Sequence, residues 1–232
     1  MSLPPNSWTE DMVENPMPPA TALVEWENPE WSSLMAFVTT LRRVLLTPKE
    51  FFANLPLTGG MGEPFAFALL VGTTGLLGSL LWQLIIEGNF SETMPVVAFS
   101  KQIGNVINDP RVIIGIFMLA PFLVALGLFF LSICLLWAVR LTGKEQNTFE
   151  SVFRVAAYSQ APAVICLIPW GGAFIAAVWH LVILVLGIAK KFGSSILKAM
   201  FTLFLAMVFQ GLLLFLFLLL IGVLGLWSLL FS

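Results

Sequence analysis

From residue 64 to residue 231 the chain is built of apolar runs long enough to leave few folds open to it. About 20 consecutive apolar residues span a bilayer, and runs of that kind recur across this stretch. No Asp or Glu occurs after Glu150. Hydrophobic residues make up 59% of the chain and charged residues only 10%, against roughly 25% charged in a soluble domain. The expected class is therefore all-α, a polytopic helical membrane protein. With a net charge of −2, nothing draws it toward nucleic acid.

Five spans are expected, at about 64–86, 112–141, 149–168, 173–189 and 200–230. In the first, Ala68, Gly72, Gly75 and Ser79 form a stripe of small residues. Such a stripe lets helices approach closely, within one chain or in a homo-oligomer. The second span is longer than a bilayer needs and must tilt or protrude. Between them, 87–110 reads as a loop with a short membrane-lying helix near its middle. Pro169-Trp170-Gly171-Gly172 reads as a tight turn. The last apolar stretch, 196–231, is too long for one simple crossing and is interrupted at Gln210-Gly211. One long helix with a protruding start is the preferred reading, and two spans are the alternative.

The N-terminal part differs in character. Residues 1–30 are rich in Pro and acidic residues and contain no Lys or Arg, so they are expected to be a disordered cytosolic tail. Its tryptophans Trp8 and Trp26, with Trp31, either dock onto a partner or headgroups or are simply tail residues. Residues 31–56 read as interfacial amphipathic helices. Leu34, Phe37, Val38, Leu41, Val44 and Leu45 form the apolar stripe of the first, with Arg42 and Arg43 off it. The second opens on a capping box, Thr47, Pro48 and Glu50. The membrane domain then covers 64–232. Nine of the eleven basic residues fall on one side of this topology and only Lys101 and Arg111 on the other. Basic residues collect in the cytosol, which places the N-terminus inside and the C-terminus outside.

Catalytic constellations are nearly absent, and no cofactor or metal site is expected. His180 is the single histidine, and Cys134 and Cys166 lie inside apolar runs. The unusual segment is 153–169, where Arg154, Tyr158, Ser159 and Gln160 stand among far more apolar neighbours. Glu150 and Arg154 have the spacing of a helical ion pair. Pro162 and Pro169 predict kinks, and Pro162 removes a backbone donor and frees the carbonyl of Tyr158. Two readings follow. The polar side chains repair the kink, or they line a cavity open to the cytosol that Gln83, His180 and Gln210 help complete.

Two motifs carry a family resemblance. LLTPKEFFANLP (45–56) is similar to the entry run of the Yip family. FRVAAYSQAP followed by IPWGG and the helix after it is similar to that family's third span, turn and fourth span. The resemblance implies five spans and a cytosolic N-terminus, and neither motif is a catalytic signature. Eukaryotic members work with Rab-type GTPases and often carry an aspartate-leucine-tyrosine-glycine-proline motif. This chain lacks that motif and resembles the prokaryotic members, in the cytoplasmic (inner) membrane. The expected function is a membrane scaffold or adaptor that contacts the lipid bilayer and holds protein partners through its N-terminal segment. The alternative is a transporter or permease of lipid or a small solute along the third span.

Overall fold

The computed structural model describes residues 24–28, 32–90, 110–143 and 147–231. Most of the acidic tail, with Trp8 and Trp31, lies outside the described residues. So do the expected loop helix, Lys101 and Lys144.

Among the described residues, seven α-helices follow a short 3-10 turn at Glu25–Glu27. They are α1 (Ser33–Leu46), α2 (Pro48–Asn54), α3 (Gly62–Phe90), α4 (Pro110–Thr142), α5 (Phe149–Tyr158), α6 (Gly172–Lys191) and α7 (Ile196–Phe231). Four of them, α3, α4, α6 and α7, are long and apolar enough to cross a membrane. A 36-residue helix rises about 54 Å, so α7, unbroken at Gln210-Gly211, exceeds the hydrocarbon core of roughly 30 Å.

The segment expected as the third span is not one helix. α5 ends after 10 residues, and a 3-10 helix follows at Ala161–Leu167. Pro162 supplies no N–H and disfavours α geometry in the residue before it, so the α pattern cannot run through. The broken segment nevertheless runs alongside α3 over most of that helix's length. At one end Arg154 bonds the Gly60 carbonyl. Further along, Ala163 packs on Gly75 and Leu167 on Gly78. At the other end the Trp82 indole donates to the Leu167 carbonyl at 3.1 Å.

The small-residue stripe is what allows this approach. A β-carbon at Gly75 would sit 2.5 Å from the Ala163 carbonyl oxygen, and one at Gly72 would sit 2.6 Å from Val124 of α4. Ala68 is fully buried in the same face. Gly78, not Ser79, is the fourth member in close contact. Ser79 is only half-buried.

The basic end of the bundle is tied together by several distant contacts. Lys191, at the end of α6, donates to the Leu55 carbonyl. Thr142, closing α4, shares a 2.7 Å hydrogen bond with Thr202 near the start of α7. Over this end lie α1, α2 and the 3-10 turn, with Val44, Phe51, Phe52 and Leu55 buried against Phe67, Val71 and Tyr158.

Two local expectations change here. In α1 the fully buried positions are Ala36, Thr40 and Val44, and Phe37, Leu41 and Leu45 of the expected stripe pack beside them. Leu34 and Val38 of the expected stripe are exposed, because packing on the bundle, not the hydrophobic stripe alone, decides which face turns in. The capping box does not form. Thr47 precedes Pro48 at the N-cap, but its hydroxyl donates back to the Arg43 carbonyl.

Candidate functional site

The polar site lies where α5 meets the basic end, and it begins with a turn made only of glycines. Gly59 and Gly60 have φ of 136° and 93°, the left-handed region that glycine adopts without a β-carbon penalty. In this turn both N–H groups point at one carboxylate. Glu150 Oε1 accepts from Gly59 N at 2.9 Å and from Gly60 N at 2.7 Å. One turn along α5, Arg154 Nη1 donates to the carbonyl of the same Gly60 at 2.7 Å. The expected Glu150–Arg154 ion pair is therefore not made. The two residues have the right spacing, but each holds one side of the Gly59–Gly60 turn.

The carboxylate partner of Arg154 comes from far away in sequence. Its Nη2 donates to both oxygens of Glu27, at 2.6 and 2.7 Å. Its Nε donates to the Pro56 carbonyl at 3.0 Å. The Tyr158 hydroxyl, one turn further, donates to Glu27 Oε1 at 2.5 Å. Arg154 and Tyr158 are wholly buried, and the Glu27 side chain is 7% exposed. A charge-assisted, multiply bonded pair of this kind is the geometry that makes a buried guanidinium tolerable.

Glu27 is delivered by a strap, Val24–Asn28, which the composition assigns to a disordered tail. The strap is ordered because each of its three central residues has a built receptor. Glu25 pairs with Arg43. The Trp26 backbone N–H donates to Thr40 Oγ1 at 3.0 Å, and its indole donates to the Glu63 carbonyl at 2.7 Å. The Trp26 ring stands edge-on to Phe37 and Phe67, and the Tyr158 ring packs against Phe67 and Phe51. Sequence reasoning missed Glu27 as a site residue. The signal for it was three adjacent residues, Glu-Trp-Glu, opposite a buried arginine that needed a carboxylate.

The rest of the expected polar group divides. Ser159 and His180 belong to the helix break. The Ser159 hydroxyl donates to the Val155 carbonyl at 2.7 Å. His180 Nδ1 lies 2.7 Å from the Ser159 carbonyl. A carbonyl only accepts, so Nδ1 carries the proton. In 3-10 register the N–H missing from Pro162 would have met this Ser159 carbonyl, so His180 stands in for it. Gln160 is half-buried at the break and precedes the 3-10 helix. Gln210 lies on α7, about 21 Å along that helix from its basic end, and does not join Arg154. The side chain of Gln83 lies outside the described residues. Pro169 precedes a turn in which Trp170 has φ of 60° and Gly171 of 121°.

Among the described residues the Arg154 side chain is fully enclosed. A cavity of about 460 Å³ does open at the basic end, but it is lined by Lys49, Leu186, Lys190 and Ser194, among others, and not by the Arg154 cluster. Among the described residues no group of three His, Cys, Asp or Glu side chains is placed to hold a metal ion.

The Yip1 domain model matches residues 42–219, more than half of the chain. The protein belongs to the Yip1 family. No curated protein and no solved structure matches it. With its apolar helices, this Yip1-family chain is a polytopic integral membrane protein. The matched region contains Arg154, Tyr158, Glu150 and the Gly59–Gly60 turn, and it begins after the strap. Glu27 thus reaches the Yip1 domain from outside the matched region.

Proposed function

We infer that the protein is a non-enzymatic membrane scaffold whose basic end carries a protein layer for holding partners. The observation that carries this reading is the burial of Arg154, with its guanidinium spent on Pro56, Gly60 and Glu27. Arg154 and Tyr158 fasten the layer onto the bundle, and the Arg154 guanidinium is engaged in doing so.

Five crossings fit the geometry. A 10-residue α-helix followed by a seven-residue 3-10 helix rises about 15 Å and about 14 Å, close to the roughly 30 Å hydrocarbon core. The segment also parallels α3 from Gly60 to Trp82. Arg43, Arg140, Arg154 and Lys191 then share one end with Lys198, while Arg111 starts α4 at the other. The positive-inside rule puts the basic end and the N-terminus in the cytosol and the C-terminus outside. The exposed Leu34 and Val38 of α1 face lipid, and the exposed Ala53 and Leu57 face the cytosol. The glycine stripe is used within the chain, so a homo-oligomer would pair through another face.

A transporter is the second reading. It is favoured by the helix break at Pro162, since transporters bind substrate at discontinuous helices. Photo-crosslinkers placed in cells at Ala53 and Leu57 are expected to give discrete protein adducts, and those at Leu34 and Val38 lipid adducts. Reconstituted wild type is expected to move neither lipid nor small solutes. Flux that Arg154→Ala abolishes would replace the scaffold with the transporter.

A further inference from the structure

Arg154 and Tyr158 belong to the matched Yip1 region, yet the carboxylate they bind arrives on a five-residue strap from outside it. We propose that this site is a receptor for an acidic–aromatic peptide, with Glu25–Glu27 as its tethered occupant and a partner protein's segment of the same chemistry as its exchangeable one. The proposal rests on the scaffold reading and names the chemistry of the partner.

Three features define the ligand. The Arg154 fork and the Tyr158 hydroxyl converge on one carboxylate. Phe37 and Phe67 offer edges to one indole, whose N–H finds the Glu63 carbonyl. Arg43 takes a second carboxylate two residues before the first. Together they read glutamate, tryptophan, glutamate in order. Every one of these receptor groups belongs to α1, α3, α5 or the residues joining them, and none to the strap itself. The receptor is therefore complete without its occupant. An occupant held by a short connection meets the site at an effective concentration in the millimolar range. A partner's segment must outcompete that, which makes the strap a self-blocking ligand.

The test uses the full chain in nanodiscs and a labelled peptide of residues 24–28, VEWEN. A Glu25→Gln, Trp26→Ala, Glu27→Gln variant is expected to bind the peptide saturably, at least tenfold more tightly than wild type does. Binding should fall at least tenfold for the Glu27→Gln peptide, and equally when Arg154→Met is added to the variant. A folded triple variant that takes up no peptide overturns the proposal, and so does binding indifferent to both exchanges. In wild type, saturating peptide is expected to speed hydrogen exchange of the 24–28 amides. Unchanged exchange there means that the strap is a fixed part of the fold and overturns the proposal even if the triple variant does not fold. Failure here with cross-links intact at Ala53 and Leu57 removes the receptor alone; loss of those protein cross-links removes the scaffold.

Discussion

The two parts of the polar stretch, Arg154–Tyr158 and Ser159–Pro162, are neighbours in sequence and opposites in what their polar groups do. In the first part the partners lie 94 to 131 residues away, in Gly60, Pro56 and Glu27. In the second, Ser159 bonds four residues back to Val155, and His180 covers one carbonyl. The first part assembles the molecule; the second repairs a helix. The difference follows from distance to the proline. Ser159 lies within the turn that Pro162 disrupts, so its polar groups are engaged locally. Arg154, two turns earlier, sits in intact helix with its backbone satisfied, and its side chain is left to recruit distant chain.

The sharpest way to break this comparison is Arg154→Ala. It leaves the Glu27 carboxylate buried among apolar rings with its main partner gone. Removing one member of a buried pair costs about 3–5 kcal/mol, and that is the loss expected in detergent unfolding. Arg154→Lys keeps a charge but not the fork, and should cost less. A loss below about 1 kcal/mol for Arg154→Ala would mean that the strap is held by Trp26, the Glu25–Arg43 pair and Tyr158 without it.

Next in size is the contact that lets the segment lie along α3. Gly75→Val puts a branched side chain where even a β-carbon would be 2.5 Å from the Ala163 carbonyl. Overpacking of this kind costs about 1–3 kcal/mol, read as a lower melting temperature. Gly115, with open space around it, is the control, and Gly115→Val should cost less.

The repair part gives a smaller and reversible effect. His180→Ala leaves the Ser159 carbonyl without its donor, at a cost on the order of 1 kcal/mol. Pro162→Ala restores a backbone N–H at the position the break lacks. In the double variant the cost of removing His180 should shrink by at least half. Additive losses would show that His180 packs there and does not replace the proline's N–H.

The sequence carried the membrane class and four long apolar helices, because apolar length is a property of the chain alone. It did not carry the partner of Arg154. The local rule favoured Glu150 at i−4, and nothing in a helical pattern says that a glycine turn will separate the two. Nor did it carry the strap. Residues 24–28 are too few to fold by themselves, and they are ordered because Arg43, Thr40, Glu63, Phe37, Phe67, Arg154 and Tyr158 stand opposite them. Gly78 in place of Ser79 is a shift of one residue.

Gln210 tests how far the comparison extends. A polar side chain inside a long apolar helix reads from sequence as a member of the Arg154 site or as a break in the helix. It is neither: α7 runs unbroken through it, and it lies far along that helix from the basic end. Half-buried and outside both polar clusters, it should tolerate Gln210→Leu with a change within about 0.5 kcal/mol, as substitutions away from named interactions do. A stabilising change would fit a side chain that faces lipid tails, where an amide is worse than a hydrocarbon. A loss above about 1 kcal/mol would mean that α7 holds a polar partner of its own. Polar residues of this chain's spans would then serve a third purpose, besides assembly and repair.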